Sequence, residues 1–414
     1  MTRLLLSLFL TTQLLAQATE LRVVTVADSG PGSLRQAIVD ANALCAADGQ
    51  ACRISFAMLE PLPEAGWYTI RPRTPLPEVT AASIVIDGRT QPDTNPAGPE
   101  IFLDGSHAVA DGPGLFFRTV DTKVYGLAVG NFRGNGMTIV QPRPGAHLIA
   151  RNYLGVDPTG ERAAANGGRG LEVLGGGTVT VEDNVLSGNV RSGAYLWTRG
   201  ALVQRNRIGV GAHTDALLGN FASGIFMGEA IRLIHGRNEI LENVIANNAE
   251  FGVALAVNAL TTVSRNRIEG NGLGGIDVRL DGPTAGTPAN PAVPGTPVLL
   301  RAYFDGTGTI IEGFTRLSLR TPLNDLTVSS SPELYANAAV DAQGFAEGQR
   351  YLGTPEWLEA AQPPGTTDSY FRLRYEADLR GLWITAIGHQ SSSYFNGEYV
   401  QFFSSEFSRP VKVG

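Results

Sequence analysis

The chain has 414 residues, of which 43% are hydrophobic and 17% are charged, and its formal net charge is −7. Its 50 glycines and 24 prolines stay below the combined share that is typical of disordered chains. An acidic chain without a basic cluster is a poor candidate for binding nucleic acid. Few segments have the pattern of a long helix, and the composition therefore predicts many short strands joined by glycine turns.

Residues 1–18 have the pattern of a secretory signal peptide. Arg3 supplies a positive start, an apolar stretch follows over 4–15, and a small-x-small cleavage site ends at Ala18. The apolar stretch is too short to span a bilayer, and no later segment reaches the ~20 apolar residues that a transmembrane helix needs. We therefore expect an exported protein that is secreted, held at the cell surface or periplasmic.

Residues 19–64 are predicted to form an N-terminal cap. A short strand is followed by Ser33, which is placed to cap a helix. The apolar residues that share one face of this helix are Leu34, Ala37, Ile38 and Ala41. The only two cysteines of the chain are Cys45 and Cys52. In an exported chain this pair predicts a disulfide, because a metal site needs more ligands.

The region 65–280 contains a repeat. Each unit reads aliphatic-x-x-Asn-x-aliphatic, continues through a Gly/Asn turn and ends in Gly-x-x-aliphatic. Some units are lengthened by an insertion in the turn, and the shortest spacing between successive asparagines is 22 residues. The units lack both the Leu-x-x-Leu-x-Leu signature of leucine-rich repeats and helical periodicity. Three short strands per turn fit this pattern, which predicts an all-β parallel β-helix.

Stacking the units places equivalent residues one above another at ~4.8 Å. The aliphatic positions then form buried columns, and the asparagines form a ladder in which each amide bonds to the next. This ladder is predicted to be structural, with each asparagine in the left-handed conformation at a sharp corner. Its members are Asn152, Asn184, Asn206, Asn243 and Asn266. The preceding residues alternate in charge and predict a solvated ion-pair ladder formed by Arg151, Asp183, Arg205, Glu242 and Arg265.

The C-terminal part of the chain changes character. Residues 281–298 have the Pro/Gly-rich composition of a linker. Residues 299–414 contain short strands of alternating polarity, which predict a β-sandwich. No catalytic pattern is recognisable within these strands.

Two segments of the sequence resemble those of a known protein family. The sequence DSGPGSLRQAI at 28–38 closely resembles the N-terminal motif of secreted bacterial right-handed parallel β-helix proteins of the pectate-lyase-like superfamily. Some of these proteins read Cys-Ser-Leu-Arg-Glu-Ala there, and Gly32 and Gln36 stand in place of its Cys and Glu. NYLGVDPTG at 152–160 resembles a long turn of the same family. The resemblance implies a right-handed β-helix with an N-terminal cap and a C-terminal sandwich, and it does not specify an activity.

The sequence contains few features that indicate an enzyme. A glycoside hydrolase needs two carboxylates ~5–9.5 Å apart, whereas Glu172 and Asp277 share an outward position with three coils between them. The sequence motifs of polygalacturonase-like hydrolases and alginate epimerases are absent. A lyase that uses Ca²⁺ held by acidic side chains, with an Arg or Lys base, stays open as an alternative. His213 and Asp215 lie in a turn insertion and lack metal-ligand spacing, so we interpret them as surface residues.

One outward face has the residue types of a glycan-binding surface, because aromatic rings flanked by arginine and carboxylate groups suit stacking on sugars. Its members are Glu172, Arg191, Tyr195, Trp197 and Phe226. The competing interpretation is that these side chains pack beneath the insertions or the C-terminal domain. We predict a non-catalytic protein without a cofactor that binds a polysaccharide or another surface ligand. A polysaccharide-degrading enzyme and a structural stalk of the adhesin type are the alternatives.

Overall fold

The computed structural model describes residues 18–45, 51–198, 200–228, 237–256, 259–280, 282, 296–316, 326–341, 344–358, 368–394 and 400–414. All but the last residue of the predicted signal peptide, and most of the predicted linker, lie outside these residues. Within the described residues, no helix is long and apolar enough to cross a membrane.

Three parallel sheets wind through the N-terminal two thirds of the chain, and from residue 85 onward each coil contributes one strand to each sheet. Sheet A contains β1 (Thr19–Val23), β2 (Cys52–Phe56), β4 (Val85–Asp87), β7 (Lys123–Tyr125), β10 (Ala146–Ala150), β13 (Thr178–Glu182), β16 (Gly200–Gln204), β19 (Asn238–Leu241) and β22 (Thr261–Ser264). Sheet B contains β3 (Tyr68–Ile70), β5 (Ile101–Asp104), β8 (Leu127–Gly130), β11 (Tyr153–Leu154), β14 (Val185–Leu186), β17 (Arg207–Ile208), β20 (Val244–Ala246) and β23 (Arg267–Glu269). Sheet C contains β6 (Leu115–Phe117), β9 (Met137–Val140), β12 (Leu171–Leu174), β15 (Ala194–Trp197), β18 (Ile225–Met227), β21 (Phe251–Leu255) and β24 (Gly274–Val278). This arrangement is the predicted parallel β-helix.

The interior of the β-helix is built from aliphatic columns whose register follows the repeat. In sheet A the first column is fully buried and consists of Ile149, Val181, Val203, Ile240 and Val263. Burying one such side chain stabilises the fold by about 1.5–3 kcal/mol. Since a shift of one residue would turn every aliphatic side chain toward solvent, the columns also determine the register.

The parallel sheet begins inside the predicted cap, because β1 pairs with β2 and β2 pairs with β4. Helix α1 (Leu34–Leu44) lies between the first two strands and buries the predicted apolar face against them. Ser33 is its N-cap, and the Ser33 hydroxyl accepts a hydrogen bond from the backbone N–H of Gln36. Two short 3-10 helices follow β4 and β5 and span Gly88–Thr90 and Gly105–His107.

The predicted disulfide is confirmed. Cys45 follows the last residue of α1 and Cys52 begins β2, with a Cα–Cα distance of 6.0 Å. Both residues are fully buried. The bond therefore joins the end of the capping helix to the second strand of sheet A.

The five asparagines Asn152, Asn184, Asn206, Asn243 and Asn266 form a single buried file between sheets A and B. From Asn184 onward, each side-chain oxygen accepts hydrogen bonds from both the backbone N–H and the side-chain amide of the preceding asparagine, at 2.8–3.2 Å. The predicted left-handed conformation of the asparagines is wrong. Positive φ angles of 54–58° occur at the residues before them, which are Arg151, Asp183, Arg205, Glu242 and Arg265.

The charged residues in these left-handed positions point outward, and four of them form two ion pairs between neighbouring coils. Arg205 contacts Asp183 at 2.9 Å, and Arg265 contacts Glu242 at 3.2 Å. A non-glycine residue in this conformation costs roughly 1 kcal/mol. The adjacent asparagine offsets that strain by satisfying the buried backbone groups of the corner.

A second asparagine ladder lies at the corner between sheets B and C and is absent from our sequence prediction. Its side chains are joined at 2.8–3.0 Å, and its members are Asn166, Asn189, Asn220, Asn248 and Asn271. Each member precedes the turn glycine by four residues, so the motif Asn-x-x-x-Gly was the available signal. The glycines are required by close packing, since a Cβ at Gly193 would lie 2.8 Å from the carbonyl oxygen of Gly224.

The C-terminal residues form two antiparallel sheets. Sheet D contains β25 (Val298–Phe304), β26 (Thr309–Arg316), β29 (Glu356–Trp357) and β30 (Asp368–Tyr375). Sheet E contains β27 (Leu326–Asn337), β28 (Arg350–Gly353), β31 (Trp383–Tyr394), β32 (Val400–Ser404) and β33 (Val411–Lys412). Apolar residues of both sheets share one core, among them Ile311 and Phe371 from sheet D and Leu334 and Ile384 from sheet E. This is the predicted β-sandwich.

The sandwich covers the C-terminal end of the β-helix. Three of its glutamates accept backbone N–H groups of the last coil, namely Glu333 from Arg265, Glu347 from Asn271 and Glu406 from Val278. In the preceding coil, the corresponding N–H of Glu242 bonds to the carbonyl oxygen of Ser264. The glutamates therefore replace the acceptors that a further coil would have supplied.

Candidate functional site

Sheet B is largely covered by the turn insertions. The two long turns fold back on themselves, with bridges from Val156 to Ala163 and from Val210 to Leu217. Ala164 at the base of the first turn packs with Phe102 and Ala128 of sheet B. The outward residues of this sheet are consequently buried along much of its length, and they offer a ligand little surface.

The second long turn is held down by a bridging carboxylate. Asp215 bonds at 2.9 Å to Arg207 and at 2.9 Å to Arg267, two coils further on. These two arginines lower the pKa of Asp215 from its ordinary value. His213 in the same turn has its ring Nε2 2.5 Å from the carbonyl oxygen of Ala97. Both residues therefore attach the turn to its neighbours, as expected for surface-turn residues.

Sheet C carries four of the five residues predicted to bind a ligand. Glu172 lies on β12, Tyr195 and Trp197 lie on β15, and Phe226 lies on β18. The register places Glu172 opposite Tyr195 and Tyr195 opposite Phe226, so these three side chains form one outward column.

The rings of this column stack on one another. Tyr195 and Phe226 are nearly parallel, with an interplanar angle of 12° and a centroid distance of 4.9 Å. The guanidinium of Arg169 lies 4.1 Å from the centroid of the Tyr195 ring. Because Arg169 comes from the preceding coil and Phe226 from the following one, both faces of Tyr195 are occupied. Tyr195 therefore offers a ligand only its edge and its hydroxyl group.

Glu172 is held in place by two donors. Its carboxylate accepts a hydrogen bond from Arg169 at 2.6 Å and from Asn135 at 2.9 Å. Asp277 lies four strands further along the same column, which corresponds to about 19 Å. This separation is about twice the longest distance at which two carboxyl groups cooperate in glycoside hydrolysis.

Trp197 is the exposed aromatic residue of sheet C. Its side chain packs against Gly228 of the next coil, where a Cβ would come within 3.1 Å of Trp197 Cβ and 3.2 Å of its Cγ. The absence of a side chain at Gly228 makes room for the indole, and Trp197 keeps 41% of its surface exposed. A flat apolar ring that rests on one coil and faces solvent is suited to stacking on another ring.

Arg191 lies apart from the other predicted ligand residues. It is exposed in the turn between sheets B and C, six positions before Trp197, at the opposite end of β15. Its backbone N–H bonds to the carbonyl oxygen of Gly168. The structure therefore brings Glu172, Tyr195, Trp197 and Phe226 together on sheet C and leaves Arg191 on the neighbouring corner.

The described residues contain no group of three or more His, Cys, Asp or Glu side chains that could hold a metal ion. Glu100 is a buried carboxyl group outside sheet C, and burial together with the nearby Asp93 raises its pKa. Two carboxyl groups without a third ligand do not make a calcium site.

Comparisons with known proteins agree with this architecture. Residues 157–285 match the family model described as right handed beta helix region. The chain is a right-handed parallel β-helix protein. A search of the curated proteins finds no match.

Two solved viral structures match most of this chain at low sequence identity. The full-length tailspike protein 2 of Escherichia coli O157:H7 bacteriophage CAB120 is 10% identical, with a TM-score of 0.28, and the match covers 94% of this chain and 64% of that one. ORF18 of Geobacillus virus E2 is 11% identical, with a TM-score of 0.26, and 94% and 76% of the two chains are covered. This β-helix protein thus spans less than two thirds of the length of the tailspike.

Proposed function

We propose that this β-helix protein binds a glycan, without cleaving it, on the outward face of sheet C beside Trp197. The supporting observation is the exposed indole over Gly228. The C–H faces of a sugar ring are apolar, and they cover an aromatic ring while the hydroxyl groups of the sugar stay hydrated. The edge of Tyr195 and the Arg169–Glu172 pair lie on the same sheet and offer polar groups to those hydroxyls.

The carboxylates of sheet C support binding rather than hydrolysis. Glu172 forms an ion pair with Arg169, and Asp277 lies too far along the column to act together with Glu172 in hydrolysis. A Ca²⁺-dependent lyase is the alternative function. Incubation with acidic polysaccharides, with and without Ca²⁺, distinguishes the two, because a lyase produces unsaturated chain ends that absorb in the ultraviolet.

Affinity electrophoresis through gels that contain neutral or acidic polysaccharides tests the binding proposal. We expect the purified mature protein to be retarded by at least one polysaccharide and the Trp197→Ala variant to migrate as in a plain gel. Trp357→Ala is the matched control, since Trp357 lies on the sandwich and is 42% exposed. Equal retardation of both variants, or no retardation of the wild type by any polysaccharide, would overturn the proposal.

We also propose that the protein acts after export. The disulfide between Cys45 and Cys52 supports this location, because such bonds persist in oxidising compartments. Expression of the complete chain in a bacterium that has a secretory pathway tests the proposal. We expect the protein outside the cytoplasm to begin at Thr19, as read by mass spectrometry. Recovery of the intact chain from the cytoplasm alone would contradict it.

A further inference from the structure

The corner between sheets B and C carries exposed apolar residues that the proposed glycan site does not use. Two residues follow each asparagine of the second ladder, and these pairs form a ridge along the β-helix. In coil order the pairs are Gly167–Gly168, Val190–Arg191, Phe221–Ala222, Ala249–Glu250 and Gly272–Leu273. Backbone hydrogen bonds between pairs of neighbouring coils keep this ridge in register, such as those from the Arg191 N–H to the Gly168 carbonyl and from the Leu273 N–H to the Glu250 carbonyl.

Three of the ridge residues are large, apolar and exposed to solvent. Phe221 at its centre is 71% exposed, while Val190 is 49% exposed and Leu273 is 52% exposed. Exposed apolar side chains that lie in a row mark contact surfaces more often than scattered ones do. Phe221 follows a ladder asparagine, and its position is therefore determined by the buried amides beneath it.

The charges on the ridge are arranged symmetrically about Phe221. Arg191 lies one coil before it and Glu250 lies one coil after it, each ~4.8 Å along the axis. Neither residue has an ion-pair partner among the residues that the structure describes. The Glu250 carboxylate accepts a hydrogen bond from Ser223 at 3.1 Å, which orients it on the ridge.

We propose that the ridge binds a second copy of this chain in an antiparallel dimer whose twofold axis passes beside Phe221. Such an axis brings the coil before Phe221 opposite the coil after it in the partner. Arg191 then faces the partner's Glu250, Glu250 faces the partner's Arg191, and the two Phe221 rings meet at the centre. Leu273, two coils after Phe221, lies opposite the partner's Gly167, where no side chain obstructs it. A ridge with this charge pattern is self-complementary in the antiparallel direction only, since a parallel partner would bring like charges together.

Analytical ultracentrifugation of the mature full-length protein tests the proposal. We expect a concentration-dependent dimer, which Phe221→Ser converts to a monomer. Arg191→Glu and Glu250→Arg each affect two symmetric contacts, so either variant should raise the dimer dissociation constant by on the order of tenfold. The double variant with both reversals should restore the dimer.

Matched controls separate association from folding. Leu59→Ser changes another aliphatic side chain, which is 81% exposed and lies outside the ridge, more than 100 residues before it in the sequence. This variant should leave the dimer intact. Each ridge variant should remain folded. Its circular dichroism spectrum should be that of a β-helix, and its melting temperature should be that of the folded monomer. A wild-type protein that stays monomeric at high concentration would overturn the proposal. A dimer that survives Phe221→Ser, or charge reversals that fail to rescue each other, would overturn it as well.

Discussion

Glu347 of the sandwich ends the second asparagine ladder by accepting both donors of Asn271. Its carboxylate bonds to the backbone N–H at 3.2 Å and to the side-chain amide at 3.0 Å. Within the ladder, one asparagine oxygen accepts the same two donors of its neighbour. A carboxylate has therefore taken the place of an amide at the point where the repeat stops.

Glu347 should make the junction between the β-helix and the sandwich sensitive to pH. Burial, helped by the nearby Asp341 and Glu269, raises the pKa of its carboxyl group to about 7 and outweighs the hydrogen bonds from Asn271, which lower it. The folded protein thus binds this proton more tightly than the unfolded chain does. Stability from this group is complete below the ordinary pKa of 4.5 and is lost as the pH rises through about 7.

The Glu347→Gln variant isolates this contribution. A glutamine oxygen can accept both donors as the ladder asparagines do, and it carries no charge. We expect its melting temperature to exceed that of the wild type at pH 8 and the difference to shrink toward pH 5. Glu333, another buried carboxyl group at this junction, does not contribute to the difference. Burial raises the pKa of Glu333, but His389 and the hydrogen bonds to the Glu333 carboxylate outweigh burial and lower that pKa to about 2. Parallel melting curves of the two proteins from pH 5 to pH 8 would contradict the prediction.

An interior asparagine of the first ladder should be costly to remove. Asn206 is 1% exposed, accepts two hydrogen bonds from Asn184 and donates two to Asn243. Asn206→Ala leaves buried donors unpaired and should lower the free energy of unfolding by about 2–4 kcal/mol. Asn247→Gly is the control, because it removes a single 3.5 Å bond and tolerates the positive φ of 61°. Equal urea denaturation midpoints for the two variants would contradict a structural role of the ladder.

A methyl group at a turn glycine should disrupt the stack. At Gly193 a Cβ would meet the carbonyl oxygens of Gly224 at 2.8 Å and Leu186 at 2.9 Å, and backbone atoms cannot move without displacing their coil. We expect Gly193→Ala to cost about 2 kcal/mol or more. The matched Gly200→Ala meets its nearest atom, Thr178 Cγ2, at 3.3 Å and should cost far less. Thermal denaturation of both variants tests this prediction. Comparable decreases in melting temperature would show that the coils are not packed this closely.

Arg35 should attach the capping helix to the first coils. Its guanidinium bonds to Asp28 at 2.8 Å and to the carbonyl oxygens of Thr74 and Pro75 at 2.9 and 2.8 Å. A lysine cannot reproduce this fork of donors, so Arg35→Lys should destabilise the protein by about 1–2 kcal/mol. Arg22→Lys on the exposed side of β1 is the control and should be nearly neutral. If both variants denature at the same urea concentration, the cap does not depend on Arg35.

Much of the β-helix was predictable because its repeat and its contacts have the same period. Aliphatic residues such as Ile149 and Val181 recur at equivalent positions, and parallel stacking then determines which residues become neighbours. The same logic placed Glu172, Tyr195 and Phe226 in one column. The Asn-x-x-x-Gly motif of the second ladder obeys this period too, and it was recognisable without coordinates.

Other features depended on the tertiary structure. Whether Tyr195 presents a face or an edge depends on the rings above and below it, and a repeat pattern does not contain their orientation. The corner conformation falls on Arg205 rather than Asn206, because the buried amide must point inward to bond along the axis.

The sequence alone therefore determined the coil, its register and its disulfide, since these follow from local periodicity and from the number of cysteines. Only the folded chain decided which surface stays open and what closes the stack. Asp215 reaches Arg267 across 52 residues, and Glu347 reaches Asn271 across 76. Contacts at such separations join segments with no shared period, so their pairing depends on how whole elements pack in space.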